Sequence, residues 1–271
     1  MTSNMIKLFK DKLGHLLFYI KQPNFKTFCV LFIKYRSQPR YKPFYNIKFD
    51  DFVFDYPDSL SFIWQYKDIM VDKIYKFESI TDKPVIIDCG ANIGMSVAWL
   101  KKLYPTANIL AFEADNKIFQ FLNKNIERNI GFKDVSIFNK AVWINSQGVS
   151  FFSEGADAGH IDDSYNNNIP SIRLKDELSK FQYIDLLKID IEGAETEVLV
   201  DCEEELKKVK NIFVEYHSMP NKKQDLSKIL SLFEFYGFRY FIKSLSKSNQ
   251  PFYNKEMNSH RGMQLSIWGY R

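Results

Sequence analysis

The sequence predicts an α/β fold: a mostly parallel sheet that ends in an antiparallel C-terminal strand and is preceded by a basic helical extension. Three observations carry this. From Pro84 onward, short apolar runs rich in β-branched residues alternate with amphipathic helical patterns, the rhythm of βαβ units. The first such run, Val85-Ile86-Ile87, passes through Asp88 into a turn holding Gly90 and Gly94, and a helix pattern follows at once over Met95–Tyr104. A buried strand, a glycine turn and a helix start mark a ligand site at the carboxyl end of a parallel strand. Near the C-terminus, strand patterns at 238–244 and 263–270 are joined by a polar loop with no helical crossover, which calls for antiparallel pairing.

The 271 residues are 45% hydrophobic and 16% aromatic, enough for a substantial core and against a disordered chain. Two parts are expected: a basic, mostly helical extension over 1–60 and the α/β domain over 61–271. Within residues 1–43, nine Lys or Arg face a single acid, Asp11, giving +8 and leaving −4 for the rest of a chain of net charge +4. Such an arm suits an anionic surface, and residues 1–43 are expected to make a peripheral membrane contact, against the plainer reading of a solvated basic helix. Cys29, Cys89 and Cys202 form no CxxC pair, so neither a disulfide framework nor a zinc site is expected. The longest apolar run near the N-terminus, Phe28–Ile33, is too short to span a bilayer, and no signal-peptide pattern is present. The expected location is the cytoplasm, at the inner face of the membrane.

Element by element, apolar residues keep helical spacing over 5–20 and again over 26–36. Residues 37–60, rich in Pro, Tyr, Phe and Asp, read as extended chain with short strands, and 61–80 return to a helical pattern. Strands are expected at 85–89, 108–112, 135–138, 184–189 and 211–215. Helices are expected at 95–104, 117–129, 175–181, after Glu192, and at 223–236. Between them, Ala141–Ile144 and Val149–Phe152 flank Asn145-Ser146-Gln147-Gly148 and read as an antiparallel hairpin. A polar loop over 153–168 and a short strand at 171–174 follow.

The chemistry begins at the glycine turn. Gly90 and Gly94 give G-x-x-x-G, not the G-x-G-x-x-G of a dinucleotide turn, and strand–D-x-G-x-x-x-G–helix is the pattern of S-adenosylmethionine enzymes. Asp88 stands where a carboxylate would orient the ammonium end of that cofactor. Glu113 ends the next strand, 23 residues after Gly90, where an acid binds ribose hydroxyls. Asp190 and Glu192 close the strand 184–189, and Glu215 and His217 close the next, on the same rim. A hydroxyl is a poor nucleophile until its proton is removed or a metal lowers its pKa. Asp190 and His217 are therefore the expected catalytic residues, and Asp190 with Glu215 an expected site for a divalent cation such as Mg²⁺. Asp157 and His160, in the polar loop, are expected to touch substrate.

Taken together, VIIDCGANIG, AFEAD, NKAVW, LLKIDIEGAE and FVEYH resemble, in that order, the FkbM-type methyltransferases over about residues 60–271. The resemblance implies a class I methyltransferase fold with a Rossmann-like sheet, and O-methylation of a hydroxyl, often on a sugar or polyketide. By position it implies that Asp88, Gly90, Asn92, Gly94 and Glu113, with Ala91 in the same turn, bind S-adenosyl-L-methionine. Asn139 and Ala141 would lie near the adenine and Asp190 near the reacting centre. The loop at 153–168 departs from the small, serine-rich stretch of the family by carrying acids and a histidine. A glycan or glycolipid is the expected acceptor, and nucleic acid is not, since the Pro-Pro motif of amino-methyltransferases is replaced by Asp190-Ile191-Glu192-Gly193. The competing readings are a nicotinamide-dependent dehydrogenase and a non-catalytic membrane-surface adaptor with a vestigial cofactor fold.

Overall fold

The computed structural model describes residues 20–153, 155–156, 159–161, 165, 167–219, 222–245, 252 and 262–271. The chain divides into two compact units, 1–76 and 77–271. The boundary thus falls beyond the expected 60/61. The expected helix over 5–20 lies almost wholly outside the described residues.

In the first unit, helix α1 (Pro23–Tyr35) is followed by a hairpin of β1 (Phe44–Phe49) and β2 (Phe52–Tyr56), then by α2 (Ser59–Tyr66), which runs into a π-helical turn at Lys67–Val71. The hairpin falls within 37–60, where extended chain with short strands is expected, and helical segments flank it on both sides. Residues 61–76 belong to this unit because their apolar face completes its aromatic core. Phe62 stacks on Tyr56 at 4.2 Å, and Tyr66 meets Phe49 edge-on at 5.4 Å. Asp58 starts α2 by accepting from Ser61 N at 2.9 Å, and its other oxygen accepts from Tyr41 N and Arg40 Nε.

The second unit is built on seven strands: β3 (Val85–Cys89), β4 (Asn108–Phe112), β5 (Val135–Phe138), β11 (Ile184–Ile189), β12 (Val209–Ser218), β13 (Arg239–Ser244) and β14 (Met263–Tyr270). Their spatial order is β13-β14-β12-β11-β3-β4-β5. Pairings from β5 to β12 are parallel, and β14 runs antiparallel to both β12 and β13. Helices α3 (Met95–Leu103) and α4 (Asn116–Asn129) connect β3, β4 and β5, while α6 (Glu195–Asp201) and α7 (Leu226–Phe235) follow β11 and β12. The expected mostly parallel sheet with an antiparallel end is present. The last strand, however, inserts inside the sheet, between β12 and β13. It extends β12 to Ser218 by pairing His217 with Gln264, so that His217 lies within the strand.

Smaller strands cover 141–173. β6 (Ala141–Trp143) pairs parallel with β10 (Ser171–Arg173), which leads into α5 (Leu174–Ser179). β7 (Val149–Phe152) pairs antiparallel with β8 (His160–Ile161) and β9 (Asn168–Ile169). The expected β6–β7 hairpin is thus replaced. Ala141 N donates to Pro170 O at 2.9 Å, and Ser171 Oγ accepts from Gly148 N and donates to Asn145 O, which ties both ends of the intended turn to β10.

Strand order reverses at β3, whose successors β4 and β5 lie on one side and β11 and β12 on the other. A crevice therefore opens at the carboxyl ends of β3 and β11, where ligands bind open α/β sheets. The amino end of β11 is fastened by Asp185, which is 2% exposed. Its carboxylate accepts from Val85 N at 2.9 Å and Ser79 Oγ at 3.0 Å.

The glycines at the crevice provide a test of this packing. Gly90 and Gly131 both have positive φ, but a Cβ on Gly90 would lie 1.8 Å from Asp190 O, whereas a Cβ on Gly131 would meet nothing within 4 Å. Gly131→Ala should cost about 1–2 kcal/mol from backbone strain alone. Gly90→Ala should cost at least about 2 kcal/mol more, from overpacking. Urea unfolding of the two variants measures the difference, and equal losses would contradict the close approach of β3 and β11.

Candidate active site

The turn after β3 is fully accounted for by its own chain. Gly90 N and Ala91 N both donate to Phe112 O, at 3.0 and 2.9 Å, and Asn92 N donates to Glu113 Oε2 at 2.9 Å. Asn92 has φ +49°, a conformation its short polar side chain tolerates. Gly90 is required because the end of β11 packs on it: Asp190 N donates to Cys89 O at 3.1 Å, leaving no room for a side chain. Gly94 is required by α4, since a Cβ there would lie 2.7 Å from Leu122 Cδ1. Both glycines answer first to the protein's own packing.

Asp88 is turned into the protein. It is fully buried, its Oδ2 accepts from Ser96 Oγ at 2.5 Å, and its Oδ1 lies 3.1 Å from Lys188 Nζ. The ammonium expected beside Asp88 is present but comes from the chain, so the cofactor role expected for Asp88 is corrected to a structural one. Lys188, 3% exposed, also donates to Gly90 O at 2.8 Å and lies 3.5 Å from Asp190 Oδ2. In the sequence Lys188 is a charge within an otherwise apolar strand. A charge inside a fully buried strand was the available signal, since a buried lysine demands partners.

Glu113 lies at the end of β4, half-buried. Its Oε1 accepts from Asp115 N at 2.8 Å and its Oε2 from Asn92 N. Burial pushes its carboxyl up, to about 7, against the lowering effect of the two N–H donors. A carboxylate offers about four acceptor positions. Two are taken here, which leaves one on each oxygen for a pair of vicinal hydroxyls. This donor set fits the ribose of S-adenosylmethionine, which Glu113 would hold beside the glycine turn. When bound, that cofactor supplies a sulfonium-activated methyl group.

The opposite wall is acidic. Asp190 follows β11, and burial, then the charge of Glu215, push its carboxyl above the ordinary range. His217 Nδ1 lies 2.9 Å from Glu195 Oε1, and its Nε2 lies 3.4 Å from Glu192 Oε2 and 3.6 Å from Glu215 Oε1. Glu195 is itself held by Gly193 N at 2.9 Å and Ile191 N at 3.3 Å. Burial alone would lower the His217 pKa, but Glu195 and Glu192 outweigh it and hold the ring well above the usual range. An imidazole that keeps its proton and has no exposed side chain is not a free base, which leaves for His217 the positioning part of its expected catalytic role. Glu195, unassigned by sequence reasoning, is 1% exposed and the group that orients the histidine.

The remaining expected residues separate. Asn139 Nδ2 donates to Glu113 O and Ala114 O, at 3.0 and 3.2 Å, so it clamps the end of β4. Ala141 is 1% exposed and paired with β10, with no surface to offer an adenine. His160 lies in β8 against Phe152, with ring centroids 5.3 Å apart. Asp157 lies outside the described residues. Among the described residues, the three side chains whose donor atoms converge are Asp190, Glu192 and His217, and Glu215, of the expected metal pair with Asp190, lies beside them, 3.6 Å from His217 Nε2.

The chain is similar to several known methyltransferases. Methyltransferase 1 of Beauveria bassiana is 28% identical over 207 residues, covering 66% of this chain and 81% of its own. Methyltransferase sdnD of Sordaria araneosa is 29% identical over 200 residues, covering 55% of this chain and 73% of its own. The crystal structure of the FkbM methyltransferase from Methylobacillus flagellatus KT is similar at a TM-score of 0.46 and 18% identity, over 70% of this chain and 45% of that one. The structure of M. jannaschii TYW2 in complex with AdoMet is similar at a TM-score of 0.47 and 14% identity, over 86% and 87% of the two chains. The family model described as the methyltransferase FkbM domain matches residues 88–240, more than half of the chain. With its glycine turn and its paired-acceptor acid inside that match, the chain belongs to the FkbM methyltransferases and is an S-adenosylmethionine-dependent methyltransferase.

Proposed function

We propose that the enzyme methylates oxygen, at a hydroxyl of a carbohydrate or glycoconjugate. The observation that carries this is the Asp190 carboxyl, raised by burial and placed by β11 beside Gly90. A carboxylate whose pKa is lifted towards neutrality is a competent general base for a hydroxyl. Removal of the acceptor proton by Asp190 as the oxygen approaches the methyl group in line with its leaving sulfur completes the transfer. A polar acceptor is supported by a cleft of about 410 Å³ next to His217 and Glu195. Thr196, Glu197, Ser218 and Gln224 line it, side chains suited to several hydroxyls at once.

Contact with an anionic membrane surface is proposed for the N-terminal unit. The observation favouring it is that α1 exposes Val30 (61%) and Ile33 (76%) among the basic side chains of Lys26 and Lys34. Among the described residues, no helix is long and apolar enough to cross a membrane.

Three outcomes are expected. Asp190→Asn should lower kcat by about 10²–10⁴ while changing S-adenosylmethionine affinity little, as calorimetry would show; a matching loss of affinity would move Asp190 to the cofactor. Glu113 must be ionised to accept two hydroxyls, and its raised pKa of about 7 places that ionisation near neutrality. Cofactor affinity should therefore fall about tenfold per pH unit below 7, and Glu113→Gln should bind weakly with no such slope. Vesicles containing phosphatidylserine should float the full chain where purely zwitterionic ones do not, and Val30→Glu with Ile33→Glu should abolish flotation. Equal behaviour on both vesicle types would remove the membrane contact. Screening glycans with labelled cofactor addresses the acceptor itself.

A further inference from the structure

We propose that Asp190, Glu192 and His217 form a divalent-cation site, with Glu195 orienting the histidine. One donor atom from each of the three lies within 4.8 Å of the others. The observation that separates this cluster from an ordinary group of acids is His217 Nε2, which is buried and has no hydrogen-bond partner. It is aimed at carboxylates on two sides, Glu192 Oε2 at 3.4 Å and Glu215 Oε1 at 3.6 Å. Neighbouring ligands around an ion bound at about 2.1 Å stand about 3 Å apart, near the 3.4 Å that separates His217 Nε2 from Glu192 Oε2.

The other ring nitrogen decides the tautomer. Glu195 Oε1 already accepts from Gly193 N and Ile191 N, and an ionised carboxylate only accepts. Nδ1 therefore donates to Glu195, at 2.9 Å, and a cation entering the cluster would displace the proton of Nε2 and take up its lone pair. A carboxylate behind a histidine that faces a metal is the usual outer-shell arrangement. Glu192 holds φ +54°, a costly conformation for a glutamate, and its carboxylate ends at the histidine. Lys188 approaches Asp190 at 3.5 Å, a positive side chain at one edge of the acidic cluster. Two carboxylates and one imidazole, with no thiolate, suit Mn²⁺ or Mg²⁺ and admit Zn²⁺. An ion here would sit on the acceptor wall, where it would lower the pKa of a bound hydroxyl. That role rests on the oxygen-acceptor reading. Cation binding does not, and it is measured without cofactor or acceptor.

The test uses the full chain after chelation, titrated with Mn²⁺ and followed by the electron paramagnetic resonance of the free ion. Saturable uptake of about one ion per chain is expected. His217→Asn and Glu192→Gln should each weaken it at least tenfold, and Glu195→Gln by about 10–100-fold. Glu192, at the rim, is the variant expected to keep the fold, and unchanged S-adenosylmethionine affinity in Glu192→Gln would certify that. The absence of saturable uptake, or uptake indifferent to His217→Asn, overturns the site and leaves the carboxylates neutralised by an imidazolium. Failure to bind S-adenosylmethionine would instead strike the methyl-transfer reading, so the two failures are distinguishable.

Discussion

Lys188 Nζ lies 3.1 Å from Asp88 Oδ1, 2.8 Å from Gly90 O and 3.5 Å from Asp190 Oδ2, almost wholly out of water. These three contacts join the two strands between which the sheet reverses direction. Lys188 and Asp88 are register partners across β11 and β3, so the ammonium spans the switch point itself. Such a pair adds little net stability over a well-packed apolar one, but removing one partner strands the other at a cost of about 3–5 kcal/mol. What it secures is geometry. Gly90 can then approach Asp190 with no space for a side chain, and the glycine turn and the first acid of the opposite wall are set by one contact.

From that point the site spreads to two walls with different electrostatics. On the β4 wall, Glu113 is anchored by two backbone N–H groups and faces the turn with half of its acceptor capacity unspent. On the β11–β12 wall, Asp190, Glu192, Glu195 and Glu215 surround His217. The two walls share a physical consequence of burial: carboxyl groups that would ionise near pH 4 in water are lifted at both Glu113 and Asp190. An ordinary carboxylate would be fully charged at neutral pH and only weakly basic. These two sit where their charge responds to ligands and to each other's surroundings.

Much of this was legible in the residue pattern, because it depends on local periodicity. The strands at 85–89, 108–112, 135–138 and 184–189 stand where alternation of β-branched runs and helical patterns put them. The glycine turn and Glu113 follow from spacing alone. The pattern was silent where residues find partners far away in sequence. Asp88 read as a ligand to an ammonium, and the ammonium proved to be that of Lys188, 100 residues on in the chain. Ala141–Trp143 read as half of a hairpin, since a turn signal followed it, but the Ser171 hydroxyl claims that turn for β10. Residues 61–76 read as the start of the α/β domain, and their aromatic faces joined the preceding hairpin instead.

The sequence by itself determined the fold class, the glycine turn and the acids at the strand ends, because each is encoded by neighbours within one βαβ unit. Only the tertiary structure decided what those groups face. A carboxylate's role depends on whether its partner is water, a backbone N–H, an ammonium or a histidine, and that partner is supplied by another strand. Asp88 turned inward, Asp190 stayed at the rim, and Glu195, one helical acid among several in the sequence, became the support of His217.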